Sequence, residues 1–177
     1  MKGNLFMQQP NIYVAFDANN DIKYYQEFKS LLRSGQEHYN VYDSIDYFKE
    51  LDKNSDDEVK FKIQKNLERA DIVIVLLTKT YKSMRKFSKW QLEHAINIGK
   101  PIIAVNPNRI RSVDYDVCPT ILKTRLSLHI PYDIRAIETA IKYWPASHNE
   151  HYQNEKEQRK IYKYANTVYE QILSEEE

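Results

Sequence analysis

The stretch DIVIVLL, residues 71–77, places an unbroken apolar run, Ile72–Leu77, behind a single acid. A run this short, rich in β-branched residues and without polar interruption, reads as a strand covered on both faces. Its flanks agree. Before it, Val59, Ile63, Leu67 and Ala70 recur at helical spacing. After it, Thr78–Met84 reads as a loop or helix start, and residues 86–98 as a helix closed by Gly99. Pro101–Val105 is then a further buried strand. Toward the N-terminus, Asn11–Phe16 (NIYVAF) is a short strand after Pro10, and Asp17–Asp21 (DANND) a turn and helix cap. Ile22, Tyr25, Phe28, Leu31 and Leu32 mark a helix that Gly35 ends. Tyr39–Tyr42 reads as a second strand, Asp43–Asp57 as a long acidic loop, Leu126–Ile130 as a fifth strand and Ile134–Tyr143 as another helix.

Strand and helix therefore alternate. The expected fold is α/β, a flavodoxin-like three-layer α/β/α arrangement with a five-stranded parallel sheet in the order 2-1-3-4-5, plus a C-terminal helix. Ligands gather beyond the C-terminal ends of such strands, which points to residues 16–21, 43–46 and 78–83. Residues 1–10 read as an N-terminal extension and 11–144 as the domain. Residues 145–177 read as a polar linker followed by an amphipathic helix carrying Ile161, Ala165, Val168 and Ile172 with Tyr162, Tyr169 and Leu173. Such a stripe either packs back on the sheet or joins a partner chain, and packing back is the expected outcome.

Totals narrow the function. The chain has 177 residues, 42% hydrophobic and 29% charged, which suits one domain, or one domain plus an appendage. With 26 basic and 25 acidic residues it lacks the basic excess of a nucleic-acid binder. No apolar run approaches the length needed to span a bilayer, and MKGNLFMQQP has no apolar signal core, so a cytoplasmic protein without membrane association is expected. Cys118 is the only cysteine and reads as a buried structural thiol. His148 and His151 have helical spacing but no further ligand, so no metal site is expected. With glycine only at 3, 35 and 99, no glycine-rich phosphate loop can be written. A bound nucleotide would meet side chains or helix N-termini instead.

On the helix before the fourth strand, Gln91 shares one side with Phe87 and His94, while Leu92, Ala95 and Ile96 make the adjoining, core-facing side. Gln91 thus borders the core. It either faces a cleft or is a helix-surface amide bonded to water or a loop.

These segments in order, NIYVAFDANND, a tyrosine-rich helix, YDS, DIVIVLLTKTYKS and KFSKWQLEHAINIGKPIIAV, resemble the TIR-like domain family typified by the TIR subunits of bacterial Thoeris anti-phage systems. The resemblance covers residues 11–143 and rests most on Thr80–Ser83 and on the pattern that starts at Trp90. It implies a TIR fold and, in active members, cleavage of the nicotinamide–ribose bond of NAD+, taken as substrate and with no cofactor required. The ADP-ribose product would signal to a separate effector protein, the trigger would be a phage protein, and self-assembly would accompany activation. The family carries W-E-[IL]-E on this helix. Its catalytic glutamate falls on Gln91 here, and Glu93 matches the second acid. An isosteric amide without the charge is expected to inactivate or weaken the enzyme, whether the change is natural or engineered.

By the same resemblance, Phe16, Asp17 and Asn20 border the nucleotide. Asp43, Ser44 and Asp46 open the loop that gates the site. Thr80, Tyr81, Lys82 and Ser83 follow strand three, with Lys82 toward phosphate and Tyr81 toward a ribose or ring. Phe87 and His94 flank position 91. Each residue also has an ordinary role: packing for Phe16 and Tyr81, capping or turns for Asp17, Asn20, Asp43 and Ser44, and solvated surface for Lys82 and His94. The alternative function is a non-catalytic TIR-like module that binds nucleotide or self-assembles. A weaker one is a nucleoside deoxyribosyltransferase-like enzyme, for which no carboxylate nucleophile is evident.

Overall fold

A computed structural model describes residues 9–43, 45, 55–82 and 86–174. Strands β1 (Asn11–Ala15), β2 (Asn40–Tyr42), β3 (Ile72–Leu76), β4 (Ile102–Asn106), β5 (Ser127–Pro131) and β6 (Ile161–Tyr162) form one six-stranded sheet in the order β2-β1-β3-β4-β5-β6. Every pairing is parallel, with Tyr13 beside Val73, Ile74 beside Ile103 and Ile103 beside Leu128. This is the expected doubly wound order, extended by one strand.

The helices are α1 (Ile22–Ser34), α2 (Asp56–Arg69), the single turn α3 (Lys79–Lys82), α4 (Lys86–Asn97), α5 (Ile134–Tyr152) and α6 (Asn166–Ser174). Strand alternation divides the core into two layers. Ile12, Val14 and Phe16 face one side with Tyr25 and Phe28 of α1 and Ile137, Ala140 and Trp144 of α5. Tyr13 and Ala15 face the other with Val59, Ile63 and Leu67 of α2 and Leu92 and Ala95 of α4. The central strands are buried throughout, which is why they read as continuous apolar runs.

Local signals set the ends. Ser55 and Glu58 form a reciprocal capping box at α2. Asp133 caps α5 by accepting from the Arg135 and Ala136 amides. Gly99, at φ 70°, closes α4 in the left-handed region that favours glycine.

The C-terminal third differs from the sequence reading. α5 runs through Pro145 to Tyr152 rather than stopping at Tyr143. Proline inside a helix costs about 3 kcal/mol, but Trp144 and His148 prolong the buried stripe of Ile137, Ala140 and Ile141 and offset that cost. Ile161 and Tyr162, read as part of a helical stripe, instead pair with Ser127 and Leu128 as β6. Only α6 keeps the stripe. It packs back through Tyr169, 3% exposed, whose ring lies under Arg111 at 4.6 Å.

Candidate functional site

Parallel strands direct their C-terminal ends to one edge, and several of the predicted site residues lie toward it, divided between the two faces of the sheet. β1 delivers Phe16 and Asp17, β2 delivers Asp43, β3 leads through Thr78 to α3, and α4 brings Phe87 and Gln91.

Gln91 does not face an open cleft. It is fully buried at the centre of the inward face of α4, with Ser88, Leu92 and Ala95. The tyrosine on β1 explains why. Tyr13 points into the same layer and its hydroxyl donates to Gln91 Oε1 at 2.6 Å. The other terminal atom, Nε2, has no hydrogen-bond partner among the described residues. The described residues thus supply a donor to position 91 and no acceptor for it. That suits a carboxylate better than an amide, because a buried N–H left unpaired costs about 1–3 kcal/mol.

Acids and hydroxyls lie in the segments that follow β1, β2 and β3. Asp17 is 5% exposed; it accepts from the Asn19 amide at 3.1 Å and from Asn20 Nδ2 at 2.8 Å. Asn20 therefore holds Asp17 in place while standing exposed itself. Tyr81 is fully buried and its hydroxyl has no partner among the described residues. Burial, and secondarily Tyr13 and Asp17, raise its pKa well above the usual phenol value. Asp21 accepts from Thr78 Oγ1 at 2.5 Å and Thr80 Oγ1 at 2.6 Å, and the Tyr81 amide donates to Thr78 Oγ1 at 3.0 Å. This ties α3 to the turn after β1. Asp43 accepts a short hydrogen bond from the Tyr25 hydroxyl and a 2.8 Å bond from the Ile45 amide. Burial first, then that bond to Asp43, pushes the Tyr25 pKa up.

Several predicted contacts are turned to other work. Phe16 is fully buried and stacks on Tyr25, centroids 4.2 Å apart, so its ring faces a neighbour rather than open space. Lys82 reaches the Tyr115 carbonyl at 3.3 Å. His94 stacks on Trp90 at 5.1 Å, and its Nε2 has no partner among the described residues. Phe87 is 9% exposed. Ser44, Asp46 and Ser83 lie outside the described residues. Asp21 and Thr78 fall within the predicted segments 16–21 and 78–83 without a role assigned to them there, and Tyr13 was missed, although a tyrosine within an apolar strand already signals a buried hydroxyl in need of a partner.

Two cavities open elsewhere. One, of about 310 Å³, lies where β4 and β5 begin; the other, of about 290 Å³, lies between the end of α1 and β2. Neither is lined by a predicted site residue. Cys118 is buried as expected, its Sγ near the Pro119 carbonyl at 3.6 Å, and burial raises its pKa to about 11. No described helix is long and apolar enough to cross a membrane.

Comparison with known proteins adds a family. Residues 13–112 match the model described as Thoeris protein ThsB, TIR-like domain. No curated protein matches. Solved structures with some likeness include the CMP N-glycosidase BcmB of Clostridium botulinum, at 12% identity and TM-score 0.45 over 75% of this chain and 98% of that one. Another is a 2-deoxyribosyltransferase of Bacillus psychrosaccharolyticus, at 18% identity and TM-score 0.48 over 72% and 90%. A conserved protein of Enterococcus faecalis matches at 13% identity and TM-score 0.48 over 95% and 99%. Scores this low carry no functional argument.

Proposed function

The chain belongs to the Thoeris ThsB TIR-like domain family, and on that premise we propose that it is a nucleotide-processing domain of anti-phage defence that acts on NAD+. Its site is the C-terminal edge of β1, β2 and β3. The reaction breaks the nicotinamide–ribose bond and leaves an ADP-ribose-derived signal for a separate effector protein, after activation by a phage component and with self-assembly.

The observation that carries this reading is the state of position 91. Tyr13 donates to one terminal atom of its side chain, and no described residue accepts from the other. Cleavage of the glycosidic bond builds positive charge on the ribose, which a carboxylate held there would stabilise, while nicotinamide leaves without needing a strong acid. The amide keeps the shape of that carboxylate, but the missing charge lowers the rate. Asp17 and Asp43 offer acceptors for ribose hydroxyls at the same edge. The complete burial of Gln91 favours a second reading, a TIR-like module that binds nucleotide or self-associates without catalysis.

Titration calorimetry with NAD+ tests the site. The chain is expected to bind NAD+ saturably, and Asp17→Asn to weaken that binding at least about fivefold, as for loss of one charged hydrogen bond. NAD+ binding that is absent, or indifferent to Asp17, contradicts the assignment.

A further inference from the structure

The larger cavity sits at the opposite edge of the sheet from residue 91, where β4 and β5 start and the turn before β6 passes. Its lining includes Lys100, Arg125 and Arg159 and no acid. Lys100 is committed: its Nζ donates to the Glu68 and Ala70 carbonyls at 3.0 and 2.5 Å, and although burial lowers its pKa, the neighbouring Asp71 and Glu68 favour its charge. The two arginines are less so, although Arg125 Nη1 donates to the adjacent Thr124 carbonyl at 3.4 Å. Both are exposed, and neither has an ion-pair partner among the described residues. Glu157, the acid in the same turn as Arg159, is taken by Lys160 and by the Tyr162 hydroxyl. His148 also lines the cavity. It is 2% exposed, and its Nδ1 has no partner among the described residues. Burial holds its pKa below the ordinary histidine value, so at neutral pH it offers a neutral ring nitrogen rather than a charge. Tyr152 stacks on His148 at 5.4 Å and closes over Gly99, where a Cβ would come within 3.0 Å of the tyrosine ring.

We infer that this cavity binds a small phosphorylated metabolite. Paired guanidinium groups recognise phosphate through two-pronged hydrogen bonds, and uncompensated arginines beside a fixed ammonium make an anion trap. At about 310 Å³ the cavity lies at the lower end of small-molecule pockets, which run from about 300 to 1,000 Å³. It therefore takes a sugar phosphate or a mononucleotide rather than a dinucleotide. The site is separate from the NAD+ edge and does not depend on that reading.

The test is calorimetric titration of the full chain with ribose 5-phosphate, AMP and adenosine, repeated on the double variant Arg125→Gln/Arg159→Gln. Both arginines are exposed, so the variant should keep its thermal midpoint. At least one phosphate ester is expected to bind saturably and adenosine not to bind. The double variant should bind the ester at least tenfold more weakly, and the His148 ring resonances should shift during titration. Binding of both esters assigns the common sugar phosphate, and binding of AMP alone assigns a nucleotide. Absence of saturable binding by either ester overturns the inference. So does binding that the double variant leaves unchanged, which would place the ester elsewhere without touching the NAD+ assignment.

Discussion

Tyr13 and Gln91 form a buried pair in which each side chain is costly without the other. Tyr13→Phe removes the donor and leaves Gln91 with neither terminal atom paired, so it should destabilise the fold by about 1–3 kcal/mol in urea denaturation. Gln91→Leu should cost a similar amount by removing the acceptor of the 2.6 Å bond from the tyrosine hydroxyl. The double variant Tyr13→Phe/Gln91→Leu should lose less than the two single losses combined, since apolar groups of similar shape replace both partners. Additive losses would show that the pair is not coupled. A second residue-scale prediction concerns His129, fully buried in β5, whose pKa burial pulls from 6.5 to about 4. The folded state disfavours the proton that the unfolded chain accepts below 6.5. Stability is therefore complete above that value, falls as pH drops toward 4, and levels off below it. The loss is on the order of 3 kcal/mol. His129→Leu should flatten this part of the pH–stability curve; an unchanged slope would refute the assignment. At this scale the sequence was least legible. Spacing put Gln91 on the border of the core, but only the Tyr13 hydroxyl, far away in the chain, decides that the amide turns inward.

Elements were easier to read because burial writes itself into periodicity. β3 and β4 are covered on both faces and show as unbroken apolar runs. α2 announces itself through the Val59, Ile63, Leu67 stripe, whereas its start at Asp56, capped by Ser55, lies inside the stretch read as a loop. The reading failed where local propensity and tertiary packing disagree. Pro145 argues for a helix end, yet Trp144 and His148 hold the helix against the sheet. β6 has two residues, too short for alternation to show, and exists because β5 presents an open edge. If packing rather than propensity maintains α5, Pro145→Ala should raise stability by up to about 3 kcal/mol, measured as an increased denaturation midpoint. A decrease would mean that proline matches a local geometry which alanine does not.

At the scale of the molecule, the sheet has two chemically different ends. Asp17, Asp21 and Asp43 stand at the C-terminal edge among hydroxyls. Lys100, Arg125 and Arg159 line the cavity at the other edge. The chain belongs to the Thoeris ThsB TIR-like family, and on the proposed function the residue at position 91 sets how much chemistry it performs. Gln91→Glu with NAD+ is the most direct measurement, following nicotinamide release with and without lysate from phage-infected cells. On the proposed function, a carboxylate placed beside the Tyr13 hydroxyl should increase release by about 10²–10³ over the chain as it stands, the range for a single transition-state-stabilising group. If neither form releases nicotinamide under either condition, the NAD+-cleaving edge proposed for this domain is contradicted.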